Sequence, residues 1–228
     1  MTKERILLKA AEDVRRELES DSSGHDWWHI VRVTRIARYI ARQEQADAFV
    51  CELAALLHDI ADEKLNPTAE AGMAKVRERL AEYEVDESDA AHVMEIIGTM
   101  SYKGGHNPPV RTKEAQVVQD ADRIDALGAI GIARTFAYAG WKGSVIYDPM
   151  QPYRETMTHE EYRKGSSPAI NHFYEKLLKL SGLMNTETGK RMAVARHKYM
   201  EAFLEQFYSE WDGLGMEPLD EGSSSDEA

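Results

Sequence analysis

A histidine and an aspartate stand side by side in this chain where the surrounding pattern calls for buried apolar residues. His58 and Asp59 follow directly after the apolar run Leu53–Leu57. Burying two such polar groups without partners would cost several kcal/mol, because each would lose its hydrogen bonds to water. A shared divalent cation removes that cost. The pair therefore predicts a metal-binding cleft at the end of this run.

His29 and Asp122 are candidates for the remaining ligands. Two imidazoles and two carboxylates form a mixed nitrogen and oxygen site, which suits Mn²⁺, Fe²⁺ or Zn²⁺ and leaves coordination positions open for water and substrate. Each residue also has an ordinary alternative. A single histidine on a helix is usually packed or exposed, and an aspartate near a helix end is usually a cap.

The elements that would position these residues are helices. The apolar spacing is helical throughout, and no stretch alternates as a strand would, so we predict an all-α fold. Adjacent residues on a helix point about 100° apart, so His58 and Asp59 can share one ion only where their helix faces a cleft. The predicted helices are Ile6–Leu18, Trp28–Ile40, Ala46 to about Ile60, Asn66–Glu84, Asp86–Met100, Thr112 to Leu127 or beyond, Ala169–Leu180 and Thr186–Trp211.

Composition narrows the class of protein. The 228 residues carry a formal net charge of −12, which disfavours general nucleic-acid binding on electrostatic grounds. No apolar segment approaches the ~20 residues that would span a bilayer. The single cysteine, Cys51, suits a reducing compartment, so we expect a cytoplasmic protein. We expect one domain, residues 1–212, followed by an acidic disordered tail, residues 213–228.

Three motifs, in this order, resemble the HD-domain metal-dependent phosphohydrolases, whose pattern is H…HD…D. They are Gly24-His-Asp-Trp-Trp-His29, Ala54-Ala-Leu-Leu-His-Asp-Ile-Ala-Asp62 and Asp120-Ala-Asp-Arg-Ile-Asp-Ala-Leu-Gly128. The closest resemblance is to small bacterial stand-alone HD hydrolases, including manganese-dependent nucleoside triphosphate pyrophosphohydrolases. It extends over nearly the whole chain. It implies the helical bundle of an HD domain. The sequence pattern adds a long loop insertion, residues 141–168, which is rich in Gly, Pro and Tyr, and a long C-terminal helix.

The resemblance implies that His29, His58, Asp59 and Asp122 ligate a divalent metal, with Mn²⁺ expected and Mg²⁺, Fe²⁺, Co²⁺ or Zn²⁺ as alternatives. Asp125 lies three residues after Asp122 on the same helix face and is the competing fourth ligand. His92 and His106 are weaker candidates for a second metal, as in binuclear members of the superfamily.

Acid–base candidates follow the second motif. Asp62 and Glu63 lie four residues after His58 and Asp59, so both return to the cleft side one helical turn later. In related nucleotide hydrolases the equivalent acidic pair looks catalytic, which implies that Asp62 or Glu63 orients or deprotonates the attacking water. The alternative is an ordinary solvated helix end.

Cations must come from elsewhere in this acidic chain if it binds phosphate. The substrate-binding candidates are Arg32, Lys64, His25, Arg123 and Asp125, with Lys103 and Arg134 as more distant possibilities. Any single basic residue is more often an ordinary surface charge.

The resemblance thus predicts a metal-dependent hydrolase of a phosphorylated small molecule. The expected reaction converts a (d)NTP to a (d)NMP and pyrophosphate through a metal-activated water. Three alternatives stay open: a phosphomonoesterase acting on nucleotide monophosphates, a non-catalytic nucleotide sensor, and a di-iron oxygenase with the HD fold. The long C-terminal helix offers a surface for a homodimer.

Overall fold

The computed structural model describes residues 1–19, 26–62, 65–100, 109–156 and 167–213, and within these ranges the chain forms helices and loops without a strand. The elements are α1 (Lys3–Leu18), α2 (Trp27–Glu44), α3 (Ala48–Leu57), a 3₁₀ turn (His58–Ala61), α4 (Ala69–Glu82), α5 (Glu87–Thr99), α6 (Lys113–Asp125), α7 (Gly128–Lys142), α8 (residues 169–180) and α9 (Glu187–Trp211). The predicted all-α fold is confirmed.

Helix α3 lies at the centre of the bundle. Every residue from Phe49 to Leu57 is buried, and α3 packs against α1, α2, α5 and α6. A helix whose residues are apolar on nearly all sides, here with Glu52 as the exception, has to be surrounded by other helices, so its C-terminal end meets them inside the protein. That end carries His58 and Asp59.

The ends of the site-bearing helices are fixed by side-chain caps. The Asp26 carboxylate accepts a hydrogen bond from the backbone N–H of His29 at 2.7 Å, which starts α2. Thr112 caps α6 in the same way through the N–H of Ala115. These caps hold the first turn of α2 and the register of α6, and thereby position the candidate ligands.

Two predicted helices end earlier than their sequence patterns indicate. The α-helical part of the third helix ends at Leu57, three residues before the expected end at about Ile60. The chain continues in a 3₁₀ turn, His58–Ala61, which covers the remaining residues. The helix that begins after Thr112 ends at Asp125 instead of continuing past Leu127. Gly128 has a φ of +70°, which L-residues rarely adopt, and the chain changes direction there into α7.

Helix α8 is interrupted at its centre. Residues Phe173–Leu177 form a π-helical turn, and a 3₁₀ turn, Ser181–Leu183, leads toward α9. Glu175 in the π turn is buried and binds Arg154 through its backbone N–H and its guanidinium. This pair ties α8 to the described part of the long connection that follows α7.

Gly72 in α4 lies directly against the 3₁₀ turn. A Cβ atom at this position would lie 2.4 Å from the backbone oxygen of Ala61. We therefore expect Gly72→Ala to displace the turn, to lower the free energy of unfolding by about 1–3 kcal/mol and to weaken metal binding at His58. Chemical denaturation and metal titration measure the two effects.

Gly98→Ala on α5 is the matched control. A Cβ atom there meets only the Met73 Cε atom, at 3.7 Å, which is an ordinary contact. Alanine also favours a helix more than glycine does, so this variant is expected to be neutral or slightly more stable. Equal stability of Gly72→Ala and the wild type would contradict the close approach.

No helix in the described part of the chain is long and apolar enough to cross a membrane. Residues 214–228, most of the predicted acidic tail, lie outside the described residues.

Candidate metal centre

Three helix ends meet at the candidate centre. His29 lies in the first turn of α2, His58 and Asp59 lie in the 3₁₀ turn after α3, and Asp122 lies near the end of α6. The packing of α2 against both α3 and α6 brings these parts of the chain together.

The ligand atoms of these residues face one another. His29 Nε2 lies 3.4 Å from Asp59 Oδ2, and His58 Nε2 lies 3.3 Å from Asp59 Oδ1. Metal–ligand bonds of about 2.0–2.2 Å place neighbouring ligand atoms roughly 3.0–3.6 Å apart. His29, His58 and Asp59 therefore have the spacing to hold one metal ion.

Asp122 lies at the open side of this group. Its Oδ1 atom is 3.5 Å from His29 Nε2 and 3.9 Å from His58 Nε2. The Asp122 side chain is 39% exposed, whereas the side chains of His29, His58 and Asp59 are each exposed by 7% or less. Water and a substrate can thus reach the centre past Asp122.

His58 has the tautomer that a metal ligand requires. Its Nδ1 atom lies 2.8 Å from the Ala55 carbonyl oxygen, which can only accept a hydrogen bond, so the proton resides on Nδ1. The Nε2 atom is buried and has no hydrogen-bond partner among the described residues. A buried nitrogen lone pair facing a carboxylate is costly without a cation, and the residues present therefore fit a bound metal.

The negative charge of the centre acts on His58. Burial lowers the pKa of His58. The charges of Asp59 and Asp122 raise it, and the raising effects together are larger, so its pKa lies above the ordinary value. The charge of Asp62 also raises the pKa of His58, by less than those of Asp59 and Asp122. A proton and a metal ion consequently compete for the same nitrogen.

Asp125 lies behind His29, on the side away from Asp59. Its buried Oδ2 atom lies 2.7 Å from His29 Nδ1. The same carboxylate accepts hydrogen bonds from Arg32 Nε at 2.7 Å and from Arg134 Nη1 at 2.7 Å. Asp125 thus contacts the second ring nitrogen of His29, whereas Asp122 approaches the nitrogen that faces Asp59.

These donors keep Asp125 ionised. Burial alone would raise the pKa of Asp125, but the hydrogen bonds from His29 and Arg32 and the charge of Arg134 hold it well below its usual range. Arg196 lies nearby and donates from Nη1 to the carbonyl oxygen of Ile124 at 2.5 Å. Burial lowers the pKa of Arg196, and the positive charge of Arg32 lowers it too. The negative charge of Asp125 raises this pKa, but the net change is a decrease.

Of the other predicted site residues, some have contacts in the described part of the chain and others lie outside it. Asp62 follows the 3₁₀ turn, and its backbone N–H donates to the Asp59 carbonyl oxygen at 3.0 Å. Arg123 donates from its guanidinium to the carbonyl oxygen of Leu183, in the turn before α9. Glu63, Lys64 and His25 lie outside the described residues, as do Lys103 and His106.

Asp120 forms a separate buried network. Its two carboxylate oxygens accept hydrogen bonds from the backbone N–H groups of Asn185 and Thr186, at 2.9 and 2.8 Å, and from both of their side chains. Thr186 in turn caps α9. Asp120 therefore fixes the start of α9 and takes no part in the metal-facing group.

His92 also has a partner of its own. Its Nε2 atom lies 2.9 Å from Thr112 Oγ1, the residue that caps α6. Within the described residues, the group of histidines and acids spaced for a metal consists of His29, His58 and Asp59 alone.

Arg134 and Arg196 belong to the surroundings of the centre, although the sequence motifs do not select them strongly. Arg134 is the ninth residue after Asp125 and reaches it because the chain turns at Gly128. Arg196 lies 72 residues from Ile124. No local spacing connects it with the site, so its approach depends on the packing of α9 against α6 and α7.

Comparison with known proteins identifies the family of the chain. Residues 27–127 match the HD domain family. The Bacillus subtilis protein YpgQ is 38% identical over 216 residues, which cover 92% of this chain and 98% of YpgQ. A crystal structure of YpgQ in complex with ADP superposes with a TM-score of 0.70 at 39% identity, covering 89% of this chain and 98% of that one.

Two further solved structures are similar over most of their length. An HD-superfamily hydrolase from Bacillus thuringiensis is 49% identical, with a TM-score of 0.73, and the match covers 92% of this chain and 99% of that one. A protein from Lactobacillus plantarum is 41% identical, with a TM-score of 0.83, and the match covers 93% of this chain and 100% of that one.

Proposed function

This chain belongs to the HD domain family, and we propose that it is a metal-dependent phosphohydrolase that converts a nucleoside triphosphate to the monophosphate and pyrophosphate. The observation that carries the proposal is the spacing of His29, His58 and Asp59, whose side-chain ligand atoms lie close enough together to hold one metal ion, with the buried Nε2 atom of His58 at 3.3 Å from Asp59 Oδ1. An HD-superfamily hydrolase with 49% identity supports the general reaction class.

In this proposal His29, His58, Asp59 and Asp122 hold one divalent ion, with Mn²⁺ as the expected metal. The ion would lower the pKa of a bound water toward about 7 and polarise a phosphoryl oxygen. Asp122 completes the ligand set because its carboxylate lies on the exposed side of the other three. Asp125 is committed to His29 and two arginines, which favours Asp122 over Asp125 as the fourth ligand.

Asp62 is the proposed base. It lies after the turn that carries the ligands, and its charge acts on His58. In the proposed reaction the water oxygen bonds to the α phosphorus, while the bond between that phosphorus and the oxygen that bridges the α and β phosphates breaks. Asp62 takes the water proton, and pyrophosphate leaves. Glu63, which the sequence pairs with Asp62, remains a prediction.

The substrate class is supported by a relative. A YpgQ crystal structure contains ADP, and YpgQ aligns with 89% of this chain in that comparison. We therefore expect this chain to bind a phosphorylated nucleotide as well. The side chains of Arg32 and Arg134, 30% and 25% exposed, supply positive charge beside the centre that can attract the phosphates.

The decisive experiment is a product analysis. We expect the purified protein with Mn²⁺ to release pyrophosphate from a nucleoside triphosphate, as observed by ³¹P NMR, and to be inactive after metal removal with EDTA. Cleavage between the α and β phosphates yields the monophosphate and pyrophosphate, whereas cleavage between β and γ yields the diphosphate and orthophosphate. Turnover in H₂¹⁸O shows which phosphorus atom the water attacks.

A panel of nucleotides distinguishes the alternatives. Orthophosphate released only from monophosphates would identify a phosphomonoesterase. Binding without release from any nucleotide would contradict hydrolysis and favour a sensor. Iron-dependent oxygen consumption would favour an oxygenase.

A further inference from the structure

Asp125 connects the metal-facing group with two arginines. It is 1% exposed, and its side-chain contacts come from two other helices: His29 and Arg32 on α2, and Arg134 on α7. Its Oδ2 atom lies 2.7 Å from both His29 Nδ1 and Arg134 Nη1, and its Oδ1 atom lies 2.7 Å from Arg32 Nε.

We propose that Asp125 is a positioning residue: it holds His29 in the tautomer whose Nε2 atom faces Asp59, and it keeps Arg32 and Arg134 beside that imidazole as a pair that binds phosphate oxygens. The inference rests on the proposed function only for the identity of the anion. The part that concerns metal binding needs no assumption about the substrate.

The first step concerns the tautomer of His29. An ionised carboxylate only accepts hydrogen bonds, so the 2.7 Å contact requires the proton on His29 Nδ1. In the neutral ring the lone pair is then on Nε2, which lies 3.4 Å from Asp59 and 3.5 Å from Asp122. A carboxylate that orients a histidine from behind also makes its free nitrogen a better metal ligand.

The second step concerns the orientation of the ring. His29 is 1% exposed, so packing restricts its position, while the contact with Asp125 fixes which nitrogen points to the metal-facing group. His58 uses a backbone carbonyl, that of Ala55, for the same purpose. Asp125 differs because it is charged and shared with two guanidinium groups.

The third step concerns charge. Two guanidinium groups on one carboxylate leave an excess of one positive charge next to a centre that is otherwise acidic. Arg32 binds Asp125 through Nε and Nη2, so its Nη1 edge is not needed for that contact. Arginine forks match phosphate oxygens, which makes this pair suited to the phosphates of a nucleotide.

Asp125→Ala tests the positioning role without a substrate. We expect isothermal titration calorimetry to show a 10- to 100-fold weaker Mn²⁺ affinity, the range that is typical when a residue supporting a metal ligand is lost. In the metal-free protein, ¹H–¹⁵N NMR of the histidine rings is expected to show the Nδ1–H tautomer of His29 in the wild type and a loss of that preference in the variant.

Asp125→Asn is a second variant for the same measurements, to be used if Asp125→Ala does not fold. Its amide has one acceptor oxygen instead of two, so it cannot accept from both His29 Nδ1 and Arg32 Nε, which contact different oxygens of Asp125. We expect an affinity between those of the wild type and of Asp125→Ala.

Glu52→Gln is the matched control. Glu52 is likewise a buried carboxylate that pairs with an arginine on α2, at 2.5 Å from Arg38, but it does not contact His29. It is expected to change stability and to leave the Mn²⁺ affinity and the His29 tautomer as in the wild type.

Arg134→Gln separates the two roles of the cluster. We expect it to raise the KM for a nucleotide about 10-fold or more while the Mn²⁺ affinity stays within about twofold, since a charged hydrogen bond to phosphate is lost. An unchanged KM would overturn the assignment of Arg134 to phosphate.

The outcomes separate this inference from the proposed function. An unchanged Mn²⁺ affinity of Asp125→Ala, or an Nε2–H tautomer of His29 in the wild type, overturns the positioning role even if nucleotides are hydrolysed. A wild type that binds Mn²⁺ tightly and hydrolyses no nucleotide overturns the proposed function, while a weakened Asp125→Ala still supports the positioning role.

Discussion

His58→Ala is expected to abolish tight divalent-metal binding and to reduce phosphate release at least about 1000-fold, because the water would lose the cation that activates it. His58 Nε2 faces Asp59 and Asp122 at 3.3 and 3.9 Å and has no hydrogen-bond partner among the described residues. Asp59→Ala is expected to have the same effect, since its two oxygens face both histidines. Metal titration and ³¹P NMR measure the losses.

The helical fold should survive this substitution. The His58 side chain is 7% exposed, so its removal costs packing of about 1–3 kcal/mol, which is less than the roughly 5–15 kcal/mol by which a typical domain is stable. Far-ultraviolet circular dichroism would verify the retained helices. His197→Ala is the control, because His197 lies on α9 beside Glu201 and outside the metal-facing group. Hydrolysis by metal-free His58→Ala at the wild-type rate would contradict the assigned site.

Asp120→Ala is expected to lower the free energy of unfolding by about 3–5 kcal/mol, because it leaves several buried donors without their acceptor. Asp120 is completely buried and accepts hydrogen bonds from Asn185 and Thr186, which directly precede α9. For a chain of this size the loss corresponds to a decrease in Tm of roughly 10 °C. Thermal unfolding followed by circular dichroism measures it.

Asp122→Ala is the opposite case on the same helix. The Asp122 side chain is 39% exposed, so its loss is expected to change stability by less than about 1 kcal/mol while weakening metal binding. Asp120→Ala should lower the stability strongly, while the fraction of the protein that remains folded should bind the metal as the wild type does. Equal effects of the two variants on both quantities would contradict the separation between the network at Asp120 and the site at Asp122.

The helices were largely predictable because their signals are local. Apolar residues at helical spacing mark α1, α2 and α9, and Asp26, Thr112 and Thr186 cap their helices through neighbouring backbone N–H groups. The ends of α3 and α6 were less accurate. The 3₁₀ turn at His58 and the turn at Gly128 depend on how the chain packs against α4 and α9, and local spacing does not record that packing.

Among the candidate ligands, the sequence identified the residue types and their order. An adjacent histidine and aspartate after a buried run implied a shared cation, and the motifs that resemble HD-domain hydrolases added His29 and Asp122. Spacing alone could not separate Asp122 from Asp125, since residues three apart share a helix face. The structure separates them by their neighbours: Asp122 approaches His29 Nε2, and Asp125 contacts His29 Nδ1.

By itself, then, the sequence determined an all-α protein, most of its helices but not α7, and the residue types that suit a divalent-metal site, because periodicity, capping and burial of polar pairs act over short distances along the chain. Only the tertiary structure decided which carboxylate faces which nitrogen, that Asp120 supports α9, and that Arg134 and Arg196 lie near Asp125. Those relations depend on contacts between helices far apart in sequence, whose distances and angles follow from how the side chains pack.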